Sequence, residues 1–158
     1  MGADGSDAAP SRPRQRRERR AREFLDAAQH IVFREGFDGL TMHRLARELD
    51  TVDSAVYRYF PSRDDLLTAL IVEAYGDLGD AVEAADARCR RSDHGGRFVA
   101  IGRAVWRWAD DHPHQYALVY GTPVPGYEAP ADTVDPGTRV SRLILELLVG
   151  AWEAGELA

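Results

Sequence analysis

The chain has 158 residues, 44% of them hydrophobic, and a formal net charge of −6 at pH 7, which suits one domain or a small module fused to a larger one. No apolar run approaches the ~18 residues of a membrane span. The N-terminus has no apolar signal segment, and the single cysteine, Cys89, excludes an internal disulfide framework. The expected location is therefore the cytoplasm, with no membrane partner. The acidic total argues against nucleic acid only until it is divided. Residues 1–63 hold 12 arginines against 10 acids, and residues 64–158 hold 8 against 16, so the basic side chains gather in the first part.

Residues 1–13, rich in Gly, Ala, Asp, Ser and Pro, read as a disordered tail. Residues 12–22 carry seven arginines against one glutamate, either a segment drawn to phosphate or a solvated helix face. Phe24, Ala28, Ile31 and Val32 then fall on one helical stripe, closed by Gly36 with Phe37 as its hydrophobic contact. Thr41 is placed to cap a short helix, with Leu40 and Leu45 as a hydrophobic staple. Asp50 stands in the following turn, where Asp tolerates left-handed geometry better than most residues. Asp53 is expected to cap a second short helix, with Val52 and Tyr57 repeating the staple. That helix stops before Pro61, and Ser62 caps the next one with Asp65 at the capping-box position. Two short helices, a tight turn and a basic, aromatic end are the layout of a helix-turn-helix, which sets one helix into the DNA major groove.

From Ser62 a long helix is predicted into the eighties, on Leu66, Leu70, Ile71, Ala74, Tyr75 and Leu78, with a bend at Gly76 and Gly79. Residues 90–96 read as a loop. A helix follows over 97–110, with Phe98, Ile101, Val105, Trp108 and Ala109 on one side. Pro113 opens another after a cap near His112, and Gly121 ends it. The proline-rich stretch 121–136 is expected to be irregular. A last helix starts at Asp135-Pro136, with Leu143, Leu147 and Trp152 inward and Gly155 as its stop. The fold class is therefore all-α.

The run VDSAVYRYFPSRDDLLTALI resembles the end of the DNA-binding domain of the TetR family of bacterial transcription regulators. Tyr57, Phe60, Pro61, Ser62 and Leu66 fall in register, and the similarity extends back over AREFLDAAQHIVFREGFDGLTM to about Arg16. The chain departs from the pattern at Asp50, where the family usually has glycine, and at Thr51 and Asp53. The segment HPHQYALVYGTPVPGYEAPADTVDPGTRV is similar to the C-terminal WHG-type domain of an actinobacterial-like branch of the family. His112-Pro113, Tyr116, Gly121, Pro123, Pro125-Gly126-Tyr127, Ala129-Pro130 and Arg139 carry that likeness. The resemblance implies an N-terminal three-helix bundle with a helix-turn-helix over residues 14–62, and an α-helical effector-binding and dimerisation domain over 63–158. Family members usually continue through two more helices that build a four-helix dimer interface, and this sequence ends before them.

The resemblance places Thr41, Tyr57, Tyr59 and Arg63 at phosphate-contacting positions, and hydroxyls and a guanidinium at helix ends suit that task. Asp53, Ser54, Ala55 and Arg58 lie near the start of the helix that faces base edges, with His43 and Arg44 on the helix before it. Ser54 can hydrogen-bond almost any base, Ala55 can touch a thymine methyl, and Arg58 can read guanine; Tyr57 and Tyr59 read equally as partly core. Tyr75, Phe98, Trp106, Tyr116, Tyr120 and Leu143 are the candidate lining of an effector pocket, with Trp108 and Trp152 in the same aromatic set, although aromatic stripes are more often core. The implied partners are a palindromic operator in double-stranded DNA, a small-molecule effector and a second copy of the chain. Effector binding would shift the long helix beginning at Ser62 and oppose DNA binding by linkage, as a repressor requires.

Rival readings are narrower. His112 and His114 form an H-x-H pair, but no third ligand stands at a convincing spacing, so neither a metal nor another cofactor is expected. No nucleophile elbow, phosphate loop or H-E-x-x-H supports an enzyme. Cys89 sits beside Arg88, Arg90 and Arg91, which could lower its pKa and make it a redox sensor, a rare role for a lone cysteine. Asp50, Asp53 and the missing last helices suit the other alternative, a helical interaction or small-molecule-binding protein that has lost specific DNA binding.

Overall fold

The computed structural model describes residues 12–121 and 124–157. The expected tail over residues 1–11, and Thr122, Pro123 and Ala158, lie outside the described residues. Among the described residues there are seven α-helices and no strand: α1 (Arg12–Glu35), α2 (Met42–Glu48), α3 (Asp53–Tyr57), α4 (Arg63–Ala87), α5 (His94–Asp111), α6 (Pro113–Tyr120) and α7 (Val134–Glu153). The expected all-α class is the architecture found. The chain divides between Pro61 and Ser62 into two compact units.

The first unit holds α1 to α3. Phe24, Ala27, Ala28, Ile31 and Val32 bury the apolar stripe of α1, and Leu40, Met42, Leu45, Ala46, Val56 and Phe60 complete the buried set. The staple residues Leu40 and Leu45 are both fully buried. Thr41 Oγ1 accepts the Arg44 N–H at 3.0 Å, the expected cap. α2 ends in a Schellman motif: the Thr51 N–H donates to Ala46 O at 2.9 Å and the Asp50 N–H to Arg47 O at 3.3 Å. Asp50 fills the left-handed position of that motif, with φ 47°. The start of α3 differs from expectation. Val52, not Asp53, stands at its N-cap with no side-chain cap, because the Asp53 carboxylate turns to His43 Nδ1 at 3.2 Å. Val52 and Tyr57 are both exposed, so the second staple does not form. Arg12 and Pro13 open α1 rather than extending the tail.

The second unit packs α5, α6 and α7 against α4. Its core is Ala74, Leu78, Val82, Ile101, Trp108 and Leu147, with Leu143 and Val119 among the partly buried residues packed on it. Ser62 caps α4 by accepting the Asp65 N–H at 3.1 Å, and its hydroxyl donates to Asp65 Oδ2 at 2.6 Å. α4 continues unbroken through Gly76 and Gly79. α5 begins at His94 rather than Arg97, because Asp93 Oδ1 accepts the Gly96 N–H at 2.8 Å and starts the helix early. Beneath it the Arg97 guanidinium donates to Asp86 through Nε (2.7 Å) and Nη2 (3.1 Å), a buried pair that joins α5 to α4. α6 follows the Pro113 rule and ends at Gly121. The stretch 121–136 is less irregular than its prolines suggest: a 3-10 turn over Ala131–Thr133 leads into α7. Two apolar positions assigned inward are outward, Phe98 at 51% exposure and Trp152 at 66%. Helical periodicity marks an apolar stripe but not whether anything covers it. α7 closes with the Glu156 N–H on Ala151 O (2.9 Å) and the Gly155 N–H on Trp152 O (3.0 Å), with Gly155 left-handed.

Candidate nucleic-acid interface

The helix-turn-helix presents its polar groups unequally. Val56 is the buried anchor of α3, which leaves Val52, Ser54, Tyr57 and Arg58 exposed around it and Ala55 half-buried. Thr41 is exposed, and because its oxygen only accepts in the cap, its O–H remains able to donate to a phosphate. Tyr59 is half-buried, its ring 5.2 Å from that of Phe24, so much of its surface is spent on the core. Arg63 is the first residue of α4 and belongs to the second unit.

Three of the candidate residues, Arg44, His43 and Asp53, are engaged inside the protein. Arg44 donates to Glu35 Oε1 at 2.8 Å and to Glu48 Oε2 at 2.7 Å. Glu35 first, and then Glu48, hold its guanidinium protonated above its ordinary range. Glu48 also takes Arg34 at 2.8 Å, and Arg44 chiefly depresses its carboxyl pKa. Asp53 is met by His43, so its carboxylate does not stand alone where phosphate would approach.

In the first unit, the arginines without a side-chain partner among the described residues are Arg12, Arg16, Arg17 and Arg19 on α1, Arg47 on α2 and Arg58 just after α3. Their neighbours Arg14 and Arg20 are tied to Glu18 (2.8 Å) and Glu23 (2.6 Å), and Arg20 also lies over the Phe24 ring at 5.0 Å. Arg16, Arg17, Arg19, Arg20, Arg58 and Tyr59 line a cleft of about 650 Å³ between the first half of α1 and the end of α3. The arginine density of residues 12–22 was visible in the sequence, but its convergence with Arg58 was not. Arg47 and Val52 were also missed: one lay on a helix read for its apolar face, and the other was read as a staple.

In the second unit the six expected pocket residues do not surround one space. Tyr75 lines a cavity of about 480 Å³ with Ile71, Val119, Val124, Tyr127 and Thr133, among others. Tyr116 and Tyr120 meet at a tilt (ring centroids 5.2 Å apart, 42° between planes), with Tyr120 edge-on to Tyr75 at 6.0 Å. Burial pushes the Tyr120 phenol pKa up. Leu143 packs on the core. Phe98 and Trp106 face solvent at 51% and 67% exposure. Val124, Tyr127 and Thr133 reach the cavity from the segment whose prolines obscured its course. His112 is held by Trp108, its ring stacked at 5.4 Å and Nδ1 at 3.0 Å from Trp108 O. Among the described residues no group of three or more His, Cys, Asp or Glu is placed to hold a metal ion, and no helix is long and apolar enough to cross a membrane.

A three-helix unit with a capped helix-turn-helix, followed by an all-helical unit with its own core, defines the class of helix-turn-helix regulators with a separate α-helical domain. Residues 24–70 match the sequence model of the bacterial regulatory proteins of the tetR family, and residues 98–157 match that of the tetracyclin repressor-like C-terminal domain. The chain belongs to the TetR family. It is 43% identical over 123 residues to the HTH-type transcriptional regulator Rv1816 of Mycobacterium tuberculosis, a match covering 77% of this chain and 53% of that protein. The chain thus spans about half the length of these curated relatives. Among solved structures it is similar to SCO4313 (TM-score 0.78, 31% identity, 90% of this chain and 66% of that one). It is also similar to a protein of unknown function from Rhodococcus sp. RHA1 (TM-score 0.76, 27% identity, 99% and 75%).

Proposed function

We propose that the chain is a ligand-responsive, DNA-binding transcriptional regulator, a repressor that leaves its operator when a small molecule binds. In this reading residues 14–62 are the DNA-binding domain and residues 63–158 the effector-binding and dimerisation domain. Two copies place two α3 helices in the major groove at the half-sites of a palindrome. Thr41 and Tyr57 contact phosphate with Arg63, while Ser54, Ala55 and Arg58 face base edges. Arg44 serves the fold of the reader through Glu35 and Glu48 rather than the DNA. Effector and operator oppose each other by reciprocal linkage.

The observation that carries this reading is the distribution of unpaired charge on the first unit. Glu18, Glu23, Glu35, Glu48 and Asp53 each meet a basic side chain, whereas six arginines on α1, α2 and the end of α3 meet no carboxylate among the described residues, against three acids, Asp26, Asp38 and Asp50, that meet no base. That is the electrostatic footprint of a polyanion site. The rival reading, a helical protein without specific DNA binding, draws on Asp50, whose exposed carboxylate sits in the turn beside α3. A gel shift on the DNA upstream of the gene, titrated from ~50 to ~200 mM salt, separates the two. A regulator gives a sequence-specific shift that weakens steeply across that range. A folded dimer with no specific shift at any salt excludes it.

A further inference from the structure

We infer that the cavity between α4, α6, residues 124–133 and the start of α7 takes an uncharged, lipophilic molecule that carries a hydrogen-bond donor. The inference rests on the reading of the second unit as effector-binding, and it names the chemical class of that effector.

The lining is Ile71, Tyr75, Leu118, Val119, Gly121, Val124, Tyr127, Ala129, Thr133, Val134, Gly137 and Thr138, with no acidic or basic side chain among them. At about 480 Å³ the space is within the range of drug-sized ligand sites. An ionised ligand here would lose water and gain no counter-charge. The nearby cations already have partners. Arg139 donates to Asp80 (2.6 Å) and Glu83 (2.8 Å), and Arg142, 60% exposed, reaches the Thr138 hydroxyl at 3.2 Å from outside the lining.

Three hydroxyls of the lining, those of Tyr75, Thr133 and Thr138, are spent as donors. The Tyr75 O–H donates to Val119 O at 3.1 Å and the Thr133 O–H to Pro130 O at 2.8 Å. Each has only lone pairs left to offer. The Thr138 O–H donates to Asp135 O at 3.1 Å, and Tyr127 shares its hydroxyl with Thr68 at 2.9 Å. A ligand therefore meets apolar walls and acceptors, and the group that suits both is an alcohol, phenol or amide N–H on a hydrocarbon body. Gly137 sets the size at the α7 wall: a Cβ there would stand 3.3 Å from Cε2 of Tyr75.

The test is calorimetric titration of the full chain, without DNA, using decan-1-ol, its methyl ether and decanoate. The alcohol is expected to bind at least ~10-fold tighter than decanoate, and ~2–10-fold tighter than the ether, the range of one net hydrogen bond. Tyr75→Phe should erase most of the alcohol–ether difference. Val134→Arg, at a lining residue exposed enough to accept the charge, should bring decanoate at least ~10-fold closer to the alcohol by supplying the missing cation. Decanoate binding the unaltered chain as tightly as the alcohol overturns the inference. So does the absence of binding by all three probes to a chain shown folded by circular dichroism. Either result leaves the gel shift untouched, so failure of the ligand class is distinguishable from failure of the regulator reading.

Discussion

The guanidinium of Arg139, on α7, lies against α4 where Gly79 has no side chain: a Cβ on Gly79 would stand 2.6 Å from its Cζ. The close approach lets Arg139 bond Gly76 O at 3.1 Å as well as Asp80 and Glu83, and Glu83, the strongest of these partners, raises its pKa from an already high value. Gly costs about 1 kcal/mol against Ala inside a helix, so the contact gives Gly79 a use. We expect Gly79→Ala to be close to neutral, because displacing Arg139 from a partly exposed network offsets the gain of about 1 kcal/mol in propensity. In an Arg139→Ala background the same change should stabilise by about 0.5–1 kcal/mol. A double-mutant cycle in urea reads this directly. An equal effect in both backgrounds would remove the explanation.

Asp50 is the first unit's exception to its own rules. Its left-handed φ of 47° satisfies the Schellman end of α2, but a side chain in that conformation carries a steric cost glycine lacks. Asp50→Gly should raise stability by about 0.5–1 kcal/mol, net of the extra freedom glycine has when unfolded. It also deletes an exposed carboxylate beside α3, so operator affinity should rise together with the midpoint in urea. A gain in affinity with no gain in stability would assign the whole effect to charge.

The contrast between Asp50 and Asp53 indicates what was legible in the sequence. Asp50 was readable because its constraint is local: a helix end, a turn and a residue type that tolerates left-handed backbone. The Thr41, Ser62 and Gly155 ends and the Leu40–Leu45 staple were readable for the same reason. Asp53 was misplaced as a cap because its real partner, His43, comes from the neighbouring helix. Arg44 was offered to DNA because its partner Glu35 lies on another helix. The cavity beside Tyr75 was the least legible feature. Tyr127 meets Thr68, 59 positions away in the chain, and no helical period announces such a crossing. Trp106 and Phe98 carried the aromatic signal but face solvent.

The buried pair of Asp86 and Arg97 makes the second unit acid-sensitive. Arg97 above all, and then Arg91, hold the Asp86 carboxyl below its ordinary pKa against the opposing effect of burial. The folded-state pKa is thus lower than the unfolded one. The stabilisation is complete above the unfolded carboxylate range, near pH ~4, and is lost as pH falls through the depressed folded value. Asp86→Asn should therefore cost a constant amount at neutral pH, and its deficit should shrink as pH drops below ~4. Asp86→Ala, which strands a buried guanidinium, should cost about 3–5 kcal/mol at pH 7. Urea melts at several pH values test both. A deficit that grows on acidification would reverse the assigned sign.

The same distinction between free and committed charge can be read in DNA binding. Arg16, Arg17 and Arg19 stand without a carboxylate on α1, whereas Arg20 is held by Glu23 and Phe24. If the cleft they form with Arg58 follows a phosphate backbone, each free arginine that touches a phosphate adds ~0.9 to the slope of log affinity against log salt. Replacing all three by Ala should then lower the slope by up to ~2.7, with equal losses on operator and random DNA, because phosphate contacts carry no sequence information. Arg20→Ala should change the slope little, since its charge is already neutralised. Arg58→Ala should differ from both: its position after α3 gives it access to base edges, so part of its loss should fall on one base pair, by about 1–3 kcal/mol. Binding titrations across salt on operator, operator variants and random duplex separate these outcomes. An Arg20→Ala slope as low as that of Arg17→Ala would mean that internal ion pairs do not predict which arginines DNA sees, and the charge argument for this face would fall with it.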